Sequence, residues 1–148
     1  MIEDFIKATG QLNIQVVGAD GSIKHNQTAE NLVVTAGKVF IASRMAGTSS
    51  AVMSYMAIGT GTTAAAVGDT ALQSQSAIVA LTSTTPSSNT VVYVASFPAG
   101  TPASLTAITE AGIFNASSSG TMLCHTIFAA INKDVGDTMQ ITWTITLS

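Results

Sequence analysis

The sequence predicts a mainly β protein: an antiparallel β-sandwich of jelly-roll type with one short helix around residues 36–46. Three observations indicate this fold class: a strict apolar–polar alternation at the end of the chain, short strand-like runs between turn clusters, and one helix-like run. The alternation covers residues 139–148, with the apolar members Met139, Ile141, Trp143, Ile145 and Leu147. Since successive side chains of a strand point to opposite faces, this run predicts a strand with one face on a core.

The first residues are predicted to form an N-terminal arm over residues 1–10, ahead of a single domain over residues 11–148. The bulky apolar side chains of this arm are Ile2, Phe5 and Ile6. A chain end with three such side chains either packs them on its own core or lends them to a neighbour. We therefore take these three residues as candidate interaction residues.

A β-hairpin is predicted after the arm. Leu12, Ile14 and Val16 alternate with polar residues, which is typical of a strand. Residues 18–21 contain Gly and Asp, which tolerate the backbone angles of a tight turn, and residues 22–25 would return as the partner strand.

One helix is predicted over residues 36–46. Thr35 has the hydroxyl of an N-cap residue, and Gly47 is suited to end the helix. In this helix we expect Val39 and Phe40 to face the core.

The remaining elements are predicted to be strands, apart from one helical turn at residues 69–72 with Asp69 as its cap. The predicted strands cover residues 53–58, 77–83, 91–97, 105–114, 122–131 and 139–147.

The composition excludes several classes of function. Charged residues make up 9% of the 148 residues, and five Lys and Arg residues are too few to neutralise a run of phosphates, so nucleic-acid binding is not expected. Apolar runs are shorter than the roughly 18 residues of a membrane span, and the acidic start is unlike a signal peptide, so neither a membrane partner nor signal-peptide export is expected. A single cysteine, Cys124, rules out an internal disulfide.

Catalytic, metal-binding and cofactor-binding patterns are not found in the sequence. The glycine-rich loop at residues 59–63 has no lysine beside it and no βαβ unit around it, which favours a structural role over phosphate binding. Cys124 and His125 are adjacent on a predicted strand, so their side chains would point to opposite faces and could not act together. The sequence therefore predicts a protein that is not an enzyme and holds no cofactor or metal.

Glu110 is the unusual carboxylate of the chain, since it stands between Ile108 and Ile113 in a predicted apolar strand. A carboxylate there needs a hydrogen-bonding partner, which could be a backbone amide, Lys133 or a neighbouring subunit. Glu110 is therefore a fourth candidate interaction residue, and a structural role is favoured over a catalytic one.

Three stretches of the chain resemble small structural proteins of tailed bacteriophages. They are Asn31-Leu-Val-Val-Thr-Ala-Gly-Lys38, then Met56-Ala-Ile-Gly-Thr-Gly-Thr-Thr63 with Gly68-Asp-Thr-Ala-Leu72, then Ile108-Thr-Glu-Ala-Gly-Ile-Phe-Asn115 with Gly120-Thr-Met-Leu123. In the group that this chain resembles, an Ala-Arg pair is common where Cys124 and His125 stand here. Related patterns are also similar to those near the start of phage tail-fibre proteins.

The resemblance implies a capsid decoration (cement) protein that bridges major capsid subunits on the surface of the virion. It implies synthesis in the host cytoplasm, the major capsid protein as partner, and self-association as a homotrimer. Two alternatives stay open: a tail, baseplate or fibre-attachment component, and a carbohydrate-binding or hydrolytic β-sandwich. The second alternative would need exposed aromatic side chains or paired carboxylates near a groove.

Overall fold

The computed structural model describes residues 6–48 and 50–148, so Ile2 and Phe5 lie outside the described residues. Within these ranges the chain forms nine strands and one helix. The elements are β1 (Ala8–Val17), β2 (Ile23–Val33), α1 (Thr35–Met45), β3 (Tyr55–Gly59), β4 (Gln75–Ala80), β5 (Ser83–Ser87), β6 (Thr90–Phe97), β7 (Thr106–Phe114), β8 (Met122–Lys133) and β9 (Thr138–Leu147).

The strands form one antiparallel sheet in the order β4-β3-β7-β8-β2-β1-β9-β6-β5, which curls into a half-barrel. Strand β2 joins the half-sheet β4-β3-β7-β8 to the half-sheet β1-β9-β6-β5. Its residues 23–31 pair with β1, while Leu32 and Val33 pair with β8. The mainly β, antiparallel fold class is thus confirmed. The jelly-roll sandwich is not confirmed, since the observed sheet is continuous and curled.

The two end strands of the sheet, β4 and β5, follow each other directly in the chain. Between them, the backbone N–H of Leu81 donates to the carbonyl of Ser54, and that of Thr82 donates to the carbonyl of Val94. The first bond lies beside β3 and the second beside β6. The chain therefore crosses from one end of the sheet to the other in two residues, and this crossing draws the ends of the curl together.

The main core fills the inside of the curl. It takes residues from both halves of the sheet, and its large, fully buried side chains include Trp143, Phe97, Leu12, Ile58 and Ile113. The alternation at the end of the chain is confirmed by β9, where Met139, Ile141 and Trp143 are fully buried.

Helix α1 forms where it was predicted, but its cap and its orientation differ from the prediction. Val34 occupies the N-cap position without a side-chain hydrogen bond, so Thr35 is not the cap. Phe40 packs against the main core as expected, whereas Val39 is 64% exposed. The reason is Gly37, which lies against the Leu123 carbonyl of β8 so closely that a Cβ atom could not fit. Because Gly37 faces the sheet, residue 39, two positions further along, lies on the opposite side of the helix.

Other bounds also differ from the sequence-based prediction. The return strand of the hairpin extends to Val33, well beyond residue 25, because its later residues pair with both β1 and β8. Residues 69–72 do not form a helical turn. Strand β1 begins at Ala8, and Lys7 exchanges two backbone hydrogen bonds with Ser148, so residues 7–10 of the predicted arm belong to the sheet.

The outer face of β3, β7 and β8 is covered by the segment of residues 60–74, which we call the covering segment. A second, smaller apolar cluster lies there, formed by Val34, Ala57, Leu72, Phe114 and Met122. The covering segment has neither helix nor strand, and such a length of irregular chain needs specific bonds to hold one conformation.

Candidate functional site

A buried polar cluster lies under the covering segment and contains Glu110 of β7 and His125 of β8. In the register of the two strands, Gly112 faces His125, and Glu110 lies two residues from Gly112 on the same face. This face points away from the main core, where Cys124 is buried instead. The prediction that Cys124 and His125 point to opposite faces is thereby confirmed.

The carboxylate of Glu110 is fully buried and accepts hydrogen bonds from three backbone amides of the chain that covers it. Its Oε2 accepts from Gly61 N at 2.7 Å and from Ser74 N at 2.8 Å, and its Oε1 accepts from Gln73 N at 2.9 Å. Thr109, the residue before Glu110, donates its hydroxyl to the Gly61 carbonyl at 2.6 Å. Strand β7 thus holds both ends of the covering segment through backbone groups.

His125 connects Glu110 to a second carboxylate, that of Asp69. Its Nε2 lies 2.9 Å from Glu110 Oε1, its Nδ1 lies 2.7 Å from Asp69 Oδ2, and its side chain is fully buried. Each imidazole nitrogen of His125 thus lies within hydrogen-bond distance of a carboxylate oxygen. Asp69 Oδ2 also accepts from Ala66 N at 2.8 Å, which explains why Asp69 does not cap a helical turn.

Both carboxyl groups of the cluster have a lowered pKa. For Glu110 burial acts to raise the pKa, but the hydrogen bonds from Gln73, Ser74, His125 and Gly61 together outweigh it. For Asp69 the backbone N–H of Ala66 is the main cause, and the bond to His125 adds to it. The cluster therefore favours ionised carboxylates.

The arrangement leaves Glu110 and His125 little capacity for acid–base catalysis. Four donors occupy the Glu110 carboxylate, which is about the number that two oxygens can accept. Both nitrogens of His125 face carboxylate oxygens of the cluster, so neither is directed at a hydroxyl or thiol that it could deprotonate. The chemistry of the cluster is that of a polar anchor for the covering segment.

The partners of Glu110 agree with one of the predicted possibilities and contradict another. Backbone amides are its partners, as expected. Lys133 is not, because its buried amine donates to the Pro98 carbonyl at 3.0 Å. The structural interpretation of the loop at residues 59–63 is also supported, since Gly61 supplies one of the amides.

Sequence reasoning missed His125 as a partner of Glu110, and it missed Asp69 as the second partner of His125. One signal was available: the second and third stretches on which the phage resemblance depends contain Gly61, Asp69, Thr109 and Glu110, and all four meet in this cluster. The register that places His125 beside Glu110 is set by pairing between distant strands and is not visible in periodicity.

An apolar groove of about 710 Å³ lies between α1 and the adjoining ends of β1, β2 and β9. Its lining includes Ile6, Lys7, Lys38, Ile41, Ala42, Met45 and Leu147. Ile6 and Met45 are each 79% exposed. Of the candidate interaction residues, Ile6 lines this groove, whereas Glu110 lies in the buried cluster and Ile2 and Phe5 lie outside the described residues. We call this surface the α1 groove.

Neither a metal-binding group of side chains nor a membrane-spanning helix occurs among residues 6–48 and 50–148. In these ranges no three His, Cys, Asp or Glu side chains form a group that could hold a metal ion. The one helix among them is too short to cross a membrane.

Comparison of the chain with known proteins gives no relative. It matches no family model, no curated protein and no solved structure.

Proposed function

We propose that the chain is a structural protein of a tailed-bacteriophage virion, and that it decorates the capsid by bridging neighbouring major capsid subunits. In this proposal the protein acts as a cement that stabilises the shell, is made in the host cytoplasm and resides on the capsid surface. The proposal derives from the sequence resemblance.

The observation that carries the proposal is that residues from two of the stretches that resemble phage structural proteins contact one another in the cluster around Glu110. Gly61 and Asp69 come from one of the stretches that resemble phage structural proteins and Glu110 comes from another, and the three residues join in one hydrogen-bonded cluster. A shared motif whose residues hold a fold together supports a shared architecture. It does so without implying a shared catalytic reaction.

The surface composition supports a role in permanent assembly. Few charges have to lose their hydration when such a surface is buried against another protein, and the α1 groove adds exposed apolar area. A decoration protein needs only modest affinity at each contact, because each copy is held by several neighbours at once.

The proposal includes a two-layered description of the fold. In it, the half-sheet β4-β3-β7-β8 packs over the half-sheet β1-β9-β6-β5, with β2 bent between them, as in a β-sandwich. The main core, which draws residues from both halves, supports this description.

The test is the copy number of the chain relative to the major capsid protein in purified virions, measured by quantitative mass spectrometry. A ratio approaching one to one is expected for a protein bound across the capsid lattice. A few copies per particle would contradict the decoration role and favour the alternative of a tail, baseplate or fibre-attachment component. Absence from virions would overturn both.

A further inference from the structure

The α1 groove is an apolar surface without a described occupant, and it lies where the described chain begins. Ile6 is the first described residue and lines the groove itself. Five residues, Met1-Ile-Glu-Asp-Phe5, precede it. We infer that the α1 groove binds the segment Met1–Phe5 of a second copy of this chain.

The apolar side chains of the segment match the walls of the groove. The walls include Ile41, Ala42 and Met45 of α1 and Leu147 of β9. Ile2 and Phe5 would place one branched and one aromatic side chain between them. Side chains of this size gain most from removal from water, and aromatic residues are typical anchors of protein interfaces.

The charges of the segment and of the groove are complementary. Glu3 and Asp4 stand between the two apolar residues of the segment. Lys7 and Lys38 are the charged residues in the described lining of the groove, and both are basic. Opposite charges at the rim of an apolar contact fix the orientation and register of the bound segment.

The path of the chain favours a groove on another copy over the groove on the same copy. Lys7 is held in the sheet, because its N–H donates to the Ser148 carbonyl at 2.6 Å and its carbonyl accepts from Ser148 N at 2.8 Å. A tight reversal of the chain takes four residues. A reversal over residues 3–6 would place Phe5 within the turn itself, whereas a groove on another copy can receive both Ile2 and Phe5.

Exchange of the segment between copies gives a closed assembly in which every groove is filled by a neighbour. Such an exchange of identical elements is a common route to small symmetric oligomers. The inference concerns the association of the chain with itself and does not depend on the proposed virion function.

Cysteine cross-linking between two different chains tests the inference. Full-length F5C, which carries an affinity tag, is mixed with untagged full-length A42C, exchanged at high concentration and oxidised mildly. Ala42 lines the groove and is exposed, while the native thiol of Cys124 is fully buried. A disulfide between the tagged and the untagged chain is expected, together with an oligomer in light scattering that becomes a monomer when residues 1–5 are deleted.

The matched control is V39C mixed with tagged F5C. Val39 is on the same helix and 64% exposed, but it does not line the groove, so little cross-linking is expected. Equal cross-linking at residues 39 and 42 would overturn the inference, because it would indicate random collision. A disulfide that forms only within single chains of the double variant F5C/A42C would also overturn it, by assigning the groove to the chain's own segment. A monomeric full-length protein would overturn it as well.

Discussion

His125 Nε2 and Glu110 Oε1 lie 2.9 Å apart, and both side chains are fully buried. This contact lies at the centre of the hydrogen bonds that hold the covering segment on the sheet. A buried contact between a carboxylate and an imidazole contributes less to net stability than the attraction between the two groups suggests, because both groups lose hydration. Removing one partner is nevertheless costly, since the other partner is then left buried without its counterpart.

We expect the substitution Glu110→Gln to lower the free energy of unfolding by about 3 kcal/mol. Glutamine has the same shape as glutamate. Its side-chain NH2 group, however, would face backbone N–H donors in place of an oxygen that now accepts their hydrogen bonds. Chemical denaturation followed by circular dichroism measures the effect. The control is Glu30→Gln at an exposed position, which should change stability by less than about 0.5 kcal/mol. Equal stability of the two variants would contradict the anchoring role of Glu110.

Acid should destabilise the protein through the same cluster. The pKa values of Glu110 and Asp69 are lower in the folded protein than their ordinary values, so the unfolded chain binds protons more readily. The contribution of these two groups to the free energy of unfolding is fully present above their pKa values in the unfolded chain, which are about 4. This contribution is lost as the pH falls through their pKa values in the folded protein. Urea midpoints measured from pH 7 to pH 3 should therefore fall with pH. The slope should be shallower in Glu110→Gln, and identical slopes would show that Glu110 does not contribute.

The fold could be predicted from the sequence where one segment determines its own conformation. Strand β9 is the clearest case, since Trp143 and its apolar neighbours are buried as the alternation indicates. The helix was predicted in place, but its inward face only in part, since Phe40 packs against the main core and Val39 does not. Apolar residues surround α1 on several sides, so the close approach of Gly37 to Leu123, a tertiary contact, decides which side is buried.

The cluster could be predicted only in part, because two of its three titratable members, Glu110 and His125, are joined by long-range pairing. Glu110 was recognisable as a carboxylate in an apolar strand that needed partners. Its pairing with His125 depends on the register of β7 and β8, and its pairing with backbone amides depends on the path of the covering segment. Neither property is expressed in local periodicity.

The substitution His125→Ala should loosen the covering segment more than it changes the sheet. Without the ring, Glu110 of β7 and Asp69 of the covering segment are no longer joined, and each carboxylate loses a hydrogen-bonding partner. We expect hydrogen exchange at the amides of Gly61, Gln73 and Ser74 to accelerate on the order of tenfold or more, which corresponds to about 1.4 kcal/mol of local stability.

The comparison for that experiment is His25→Ala. His25 is half-buried, and its Nε2 contacts the side chain of Gln27 within the same strand at 3.0 Å. This variant should leave exchange in the covering segment unchanged. If both histidine variants accelerated exchange equally, the effect would be a global loss of stability and the anchoring role of His125 would be wrong.

Two glycines of the covering segment should respond in opposite ways to alanine. A Cβ atom at residue 61 would lie closer to Glu110 Oε2 and to the Gln73 side chain than van der Waals contact allows, whereas at residue 68 it would meet open space. We therefore expect Gly61→Ala to lower the free energy of unfolding by about 2 kcal/mol. Gly68→Ala should be neutral or slightly stabilising, because alanine reduces the entropy of the unfolded chain.

Thermal and chemical denaturation of the two variants side by side measures this difference. The same chemical change is made in the same segment, so a shared effect of alanine on the unfolded chain cancels in the comparison. A Gly61→Ala protein as stable as Gly68→Ala would mean that the Glu110 carboxylate can move away without loss. In that case the contact between Gly61 N and Glu110 would not hold the covering segment to β7.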